Sequence, residues 1–193
     1  MMHLRNLTLW QIELLPWYAF AIVWIIAAWW RKATKTIEPA AARLIKLLFN
    51  GTAFILLFAP WTRVGFLGER VFPPIVAVEW AGIALTFAGA ALAIWARVIL
   101  GQNWSSQVSL KFGHELIRSG PYAYVRHPIY SGLLVAVIGT TLKMGEWRAL
   151  LAIGLFAIAH GIKARREERL LTSEFGESYA QYRQHTGSLL PKF

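Results

Sequence analysis

The sequence predicts an all-α integral membrane protein with five transmembrane helices, and three observations carry that reading. Hydrophobic residues fill 56% of the 193 positions and charged residues only 16%, against roughly 25% charged in soluble domains. A globule of this length has too little interior to hide so much apolar surface, so lipid is the expected solvent. The apolar residues fall into five runs separated by basic loops. Under a five-span threading, fifteen of the twenty Lys and Arg residues collect on one side, the bias of loops that stay in the cytoplasm.

The runs follow in chain order. Leu14 to Trp30 is bounded by Arg31-Lys32 and has no small-residue cleavage site before that pair, so it reads as a retained span and not a secretory signal. Leu44 to Pro60 is interrupted by Lys46 and by Asn50-Gly51. Ile75 to Leu100 is long enough to cross ~30 Å of hydrocarbon with tilt, and its Ala84, Ala88 and Ala91 suggest a close-packing face. Pro128 to Leu142 and Trp147 to Ile162 would each extend roughly 22–24 Å, short for a lone span. Lys143-Met144-Gly145-Glu146 joins them into a helical hairpin. The tail from Lys163 is polar and amphipathic to about Tyr182. Neither an internal repeat nor a low-complexity linker divides the chain. The expectation is one domain over 1–193, with three spans in 1–100 and a binding loop, hairpin and tail in 101–193.

Net charge is +10, and all ten acidic residues are Glu. So basic a chain invites a nucleic-acid reading, but the basic residues lie between apolar runs and form no stripe, so no nucleic-acid partner is expected. With no cysteine there is no disulfide, zinc–thiolate site, iron–sulfur site or thiol nucleophile. His3, His160 and His185 stand without partners at ligand spacing, so no metal site is expected.

Polar chemistry is densest in the loop from Gln107 to Gly132 and at the start of the tail, which the five-span threading puts on the same cytoplasmic side. His127 precedes Pro128, and Pro128 suits the first position of a helix. A free helix N-terminus there, with Arg126 beside it, favours an anion. Tyr122, Tyr124 and Tyr130 supply aromatic faces, and Glu167, continuing the last span, can turn toward the loop. An anion site, aromatic faces and a carboxylate suit a zwitterionic, cationic, nucleoside-bearing ligand such as S-adenosylmethionine, whose sulfonium a tyrosine face attracts by ~0.5–2 kcal/mol.

The motifs Gly113-His-Glu-Leu-Ile-Arg-Ser-Gly-Pro-Tyr122 and Val125-Arg-His-Pro-Ile-Tyr-Ser-Gly132 are followed by Glu167-Glu-Arg-Leu-Leu171 and Phe175-Gly-Glu-Ser-Tyr179. In this order they resemble the isoprenylcysteine carboxyl methyltransferase family, within a wider group of membrane phospholipid methyltransferases. The resemblance covers about residues 101–193. It implies S-adenosylmethionine contacts at Gln107, at His114, Glu115, Leu116 and Ile117, at Tyr122, at His127, Pro128, Ile129 and Tyr130, and at Glu167. For Glu115 and Ile129 only backbone contacts are implied. It also implies a basic residue about one turn before Glu167 that holds the substrate; Lys163 occupies that place and Arg166 is the nearby alternative. A carboxylate acceptor is already ionised and needs no general base, so catalysis would consist of aligning donor and acceptor, an orientation effect worth ~7–11 kcal/mol.

The expected activity is therefore methyl transfer to a lipid-borne acceptor, with carboxyl O-methylation of an isoprenylcysteine-type substrate first and phospholipid amine N-methylation second. An NADPH-dependent membrane reductase is a rival, because integral sterol reductases show a similar Arg-His-Pro segment. A non-enzymatic scaffold whose loop packs on headgroups is another.

Overall fold

The computed structural model describes residues 2–29, 40–104 and 115–192. Among these residues lie six α-helices: α1 (Met2–Ala27), α2 (Ala40–Phe58), α3 (Val76–Leu100), α4 (Pro128–Met144), α5 (Trp147–Phe175) and α6 (Glu177–His185). Strand pairing among them is limited to two isolated bridges. Three helical stretches are long and apolar enough to cross a membrane: Thr8–Ala27, Val76–Asn103 and Trp147–Phe175. The other two predicted spans are also helices. However, α4 has 17 residues, ~25 Å of rise, and α2 carries Arg43 and Lys46 in its first turns.

Two boundaries differ from expectation, each for a local reason. Helix α1 begins at Met2, well before the apolar run, and so carries Glu13 into the bundle. Helix α5 does not stop at Ile162. Nothing between Ile162 and Phe175 breaks a helix, and Ala164 to Leu171 are strong helix formers, so span and tail are one rod that ends at Gly176 with φ 50°. The segment from Lys163 onward is too charged for hydrocarbon and carries Glu167 and Glu168 out of the apolar part of the helix.

The hairpin helices pack outward more than on each other. Helix α4 lies chiefly along α3, and α5 chiefly along α2. The α3–α4 crossing is close because Gly82 and Gly89 face Gly132 and Gly139. A Cβ on Gly132 would stand 2.6 Å from the Gly89 carbonyl oxygen, and one on Gly82 2.6 Å from that of Gly139. Ala84, Ala88 and Ala91 do not form this face; all three are exposed. The glycines, with Thr86 and Ala93, sit on the opposite side of α3, where a missing side chain lets the backbones meet.

Glu13 ties three helices together. It is 0% exposed, and its Oε1 accepts from Thr86 Oγ1 at 2.9 Å and Thr140 Oγ1 at 2.5 Å, while Trp17 Nε1 donates to Thr140 at 3.1 Å. At the same end, Lys143 Nζ lies 3.2 Å over the Trp10 ring. Aromatic rings fill the space between α1, α2 and α5, with Trp17 edge-on to Phe54 and Phe58.

Candidate active site

The end of the bundle that holds the N-terminus of α4 and the polar half of α5 is built by backbone pairing between distant segments. Pro121 and Tyr122 lie in a short 3-10 turn (Gly120–Ala123), after which Val125 bridges Gly187. The Arg126 and His127 amides donate to the Gly187 and Ser188 carbonyls at 2.9 and 3.1 Å, and Ser131 Oγ donates to the Leu189 carbonyl at 2.6 Å. The chain after α6 thereby straps down the loop before α4. Tyr182 adds a tie by donating to the Tyr122 carbonyl at 2.6 Å, and burial pushes its phenol up to about 12.

Two adjacent carboxylates of α5 meet this loop differently. Glu168 Oε1 takes Arg126 Nη2 at 2.9 Å, Arg126 Nε at 3.0 Å, Ser188 Oγ at 3.1 Å and His127 Nε2 at 3.3 Å. Arg126 Nη1 also donates to the Thr186 carbonyl. The His127 hydrogen bond and the Arg126 guanidinium hold the Glu168 carboxyl at about 2, against the opposing pull of burial. Glu167 instead receives the Tyr130 hydroxyl at 2.7 Å, with His127 Nδ1 at 3.5 Å and Lys163 Nζ at 3.8 Å. Burial would raise its pKa, but Lys163, His127 and Tyr130 outweigh that and keep it below the usual carboxylate value.

His127 therefore lies between two carboxylates. Burial disfavours its charge, but the hydrogen bonds and negative charge of Glu167 and Glu168 win and hold its pKa above the ordinary value. With each ring nitrogen facing a carboxylate, the protonated form satisfies both as donors. The ring stacks on Tyr130, centroids 5.3 Å apart and 7° from parallel. The sequence suggests His127 as a contact at an anion site; in the structure both of its nitrogens are committed to acids, and its visible work is to orient Glu167.

Beside these groups lies a cavity of about 110 Å³. Its walls include Glu115, Leu116, Ile117, Tyr122, His127, Ile129, Tyr130 and Glu167, which brings together eight of the residues singled out in the sequence. Pro128 starts α4 beneath them and is not part of the wall. Gln107 and His114 lie outside the described residues. Lys163 stands behind the wall, 5.0 Å over the Tyr130 ring, and Arg166 does not border the cavity. Leu100, Asn103, Trp104, Leu170, Leu171, Tyr179 and Tyr182, none of them among the contacts expected from the sequence, also line the cavity. Leu170 and Leu171 lie one turn after Glu167, so helical spacing could have found them. Arg97 positions Trp104: it caps α1 through the Ala27 carbonyl at 2.8 Å and lies 4.6 Å over the indole.

Such a site offers a partly buried carboxylate, five tyrosine and tryptophan side chains and an apolar rim. That composition suits a cationic ligand with a flat ring, and it offers no cluster of His, Cys, Asp or Glu for a metal among the described residues.

Residues 82–173 match the family model of the isoprenylcysteine carboxyl methyltransferase (ICMT) family. The protein-S-isoprenylcysteine O-methyltransferase of Schizosaccharomyces pombe is 37% identical over 99 residues, covering 50% of this chain and 42% of that protein. Methanethiol S-methyltransferase 1 of Bradyrhizobium diazoefficiens is 27% identical over 172 residues, covering 84% of this chain and 58% of that protein. The solved structure of the eukaryotic intramembrane Ras methyltransferase ICMT matches with a TM-score of 0.53 at 23% identity, over 81% of this chain and 54% of that one. This is a likeness of fold. The chain spans about half the length of these relatives.

Proposed function

We propose, for a chain that belongs over residues 82–173 to the isoprenylcysteine carboxyl methyltransferase family, that it is a membrane enzyme moving a methyl group from S-adenosylmethionine to a lipid-borne acceptor, first of all the carboxylate of a prenylated cysteine. The observation that carries this reading is Glu167, a carboxylate held by Tyr130 and His127 against an aromatic-walled cavity.

The residues present fit that donor. Glu167 can hold an ammonium or a ribose diol, and Tyr122, Tyr130 and Trp104 offer faces to a sulfonium and an adenine. When bound, S-adenosylmethionine supplies a methyl group already activated by positive sulfur. His127 and Tyr130 fix the Glu167 carboxylate. Leu170, Leu171, Tyr179 and Tyr182 close one wall against water. Lys163, at the Tyr130 face, is placed to steer an acceptor carboxylate by a charge-assisted contact. A carboxylate arrives ionised, so these residues need only orient it. We further read the chain as crossing five times, α1 to α5, with the pocket and C-terminus on the cytoplasmic side. The support is the positive bias of that side and the common end of the bundle shared by loop and tail.

A second acceptor class, a small thiol, is favoured by the likeness to the methanethiol enzyme, which runs along 84% of this chain. Phospholipid amine methylation has no such observation behind it. NADPH fits poorly, because Arg126, the guanidinium at the cavity wall, is already held by Glu168 and the Thr186 carbonyl.

The test is a thermal-shift and transfer assay on the purified chain. S-adenosylhomocysteine at 100 times its dissociation constant should stabilise the fold by about 2.7 kcal/mol. Labelled methyl should then pass to a prenylcysteine and not to phosphatidylethanolamine. A flat response to S-adenosylhomocysteine, or stabilisation by NADPH in its place, overturns the reading.

A further inference from the structure

Helix α5 carries one titratable group near the site that carboxylate methylation leaves unused. His160 lies two turns before Glu167 with Lys163 between them, so the three share one stripe. Its Nδ1 is 3.0 Å from the Phe156 carbonyl oxygen, which can only accept; Nδ1 therefore bears the proton, and in the neutral ring Nε2 presents a lone pair. Nε2 makes no hydrogen bond among the described residues and is not among their sealed polar atoms. The ring cannot wander. It stacks on Phe156 at 4.0 Å and stands edge-on to Tyr130 at 5.0 Å.

Tyr130 is the link. Its ring stacks on His127 and borders the cavity, and it also meets His160 and Lys163, which do not line that cavity. His160 is thus one side chain away from the donor pocket, on the flank where α5 runs along α2. The charged groups acting on it are Lys163 and Glu167 of its own helix and Lys46 of α2; Tyr130 is the titratable group from α4. Exposed Leu44, Leu48 and Ile55 of α2 and Leu151 and Ile158 of α5 make these helices apolar toward lipid. An acceptor with an apolar chain would come from there.

A lone pair repels a carboxylate and is no help to it, whereas a protic acceptor needs somewhere to leave its proton. We propose that His160 Nε2 is that proton acceptor and that the site methylates apolar thiols as well as carboxylates. The inference rests on the methyltransferase reading and assigns the residue that widens its acceptor class. A thiol is the protic group that fits: with a pKa of ~8.5 it gives up its proton to a neutral imidazole more readily than an ammonium near ~10.4 does. In the step, the S–H bond breaks and its proton goes to Nε2. The sulfur pair forms the new S–CH3 bond. The carbon–sulfur bond of a sulfonium donor breaks, and its electron pair stays on the departing sulfur, leaving a neutral thioether.

The experiment compares farnesyl thiol with an amine-blocked S-farnesylcysteine on the wild type and on His160→Gln, which keeps a hydrogen-bond acceptor but takes no proton. The wild type should methylate both. His160→Gln should lower the thiol-to-carboxylate ratio of kcat/KM by about 100-fold, the usual size of a general-base effect. It should also replace a thiol rate that levels off with pH by one that keeps rising as thiolate forms. With no donor present, the 15N signal of His160 Nε2 should move on adding farnesyl thiol. Equal loss on both acceptors makes His160 structural and overturns the proposal, as does a wild type that methylates the carboxylate alone. Failure on both acceptors with no stabilisation by S-adenosylhomocysteine removes the methyltransferase reading itself.

Discussion

The two ends of the bundle use the same ingredients, glutamate and arginine, to opposite effect. At the end where α2 stops and α5 starts, Glu146 accepts from Arg63 on both oxygens, at 2.6 and 3.2 Å, and from Arg148 on the second of them at 2.5 Å. Arg148, 2% exposed, also donates to the Leu56 and Ala59 carbonyls and to Thr62 Oγ1. Both oxygens of Glu146 are answered there. At the other end Glu168 is closed in the same way by Arg126, Ser188 and His127, but its neighbour Glu167 is not. Its short contact is a neutral phenol, its cations stand 3.5 and 3.8 Å off, and a cavity lies beside it. A closed ion cluster fastens helices; a carboxylate left partly unanswered beside a cavity can take a ligand.

The largest effect should come from opening the closed cluster. Arg148→Met takes a donor from the Leu56 and Ala59 carbonyls and the nearer, buried cation from Glu146, a loss of about 3–5 kcal/mol for one partner of a buried pair. Thermal unfolding in detergent should drop by on the order of 10 °C. S-adenosylhomocysteine affinity of the folded fraction should hold. If affinity falls with stability, the two ends are coupled and the contrast fails.

Glu167→Gln should do the reverse. Removing the charge costs a ligand a charge-assisted hydrogen bond, roughly 1.5–3 kcal/mol, or about 10- to 100-fold in Kd for S-adenosylhomocysteine by calorimetry. The ligand-free melting temperature should move little, because the amide still accepts from Tyr130. A large drop in melting temperature with unchanged Kd would make Glu167 another fastener.

Sequence patterning located all five apolar helices and the loop–tail motif because both signals are local. Hydropathy marks a span, and Arg126-His127-Pro128-Ile129-Tyr130 marks a helix start. What it hid depended on pairing across the chain. The close face of α3 lies at Gly82 and Gly89, and not at the alanines, because only the position of α4 says which side must be bare. Glu13 stood just outside the first apolar run; its partners Thr86 and Thr140 are far away in sequence. His127 reads as an exposed helix-mouth histidine until α5 brings two glutamates to its ring. Trp104 and Tyr179 gave no local sign of lining a cavity, since each does so from a different segment.

The smallest effect concerns the strap, and its sign follows from the two shifted groups. His127 has its pKa raised in the fold, so its contribution is complete below the unfolded value near 6.5 and is lost as pH rises through the folded value. Glu168 is depressed to about 2, so its contribution is complete above about 4.5 and is lost as pH falls toward 2. The loop–tail tie is therefore strongest between about 4.5 and 6.5. Hydrogen exchange at the Arg126 and His127 amides, corrected for intrinsic rates, should be slowest in that window and several-fold faster at alkaline pH. Glu168→Gln should speed exchange and begin the alkaline loss nearer 6.5, because His127 then keeps only Glu167. The Arg148 end has no histidine in its cluster and should show no such step. Exchange that is flat with pH, or that Glu168→Gln leaves unmoved, would mean that backbone pairing with Gly187 and Ser188 alone holds the strap.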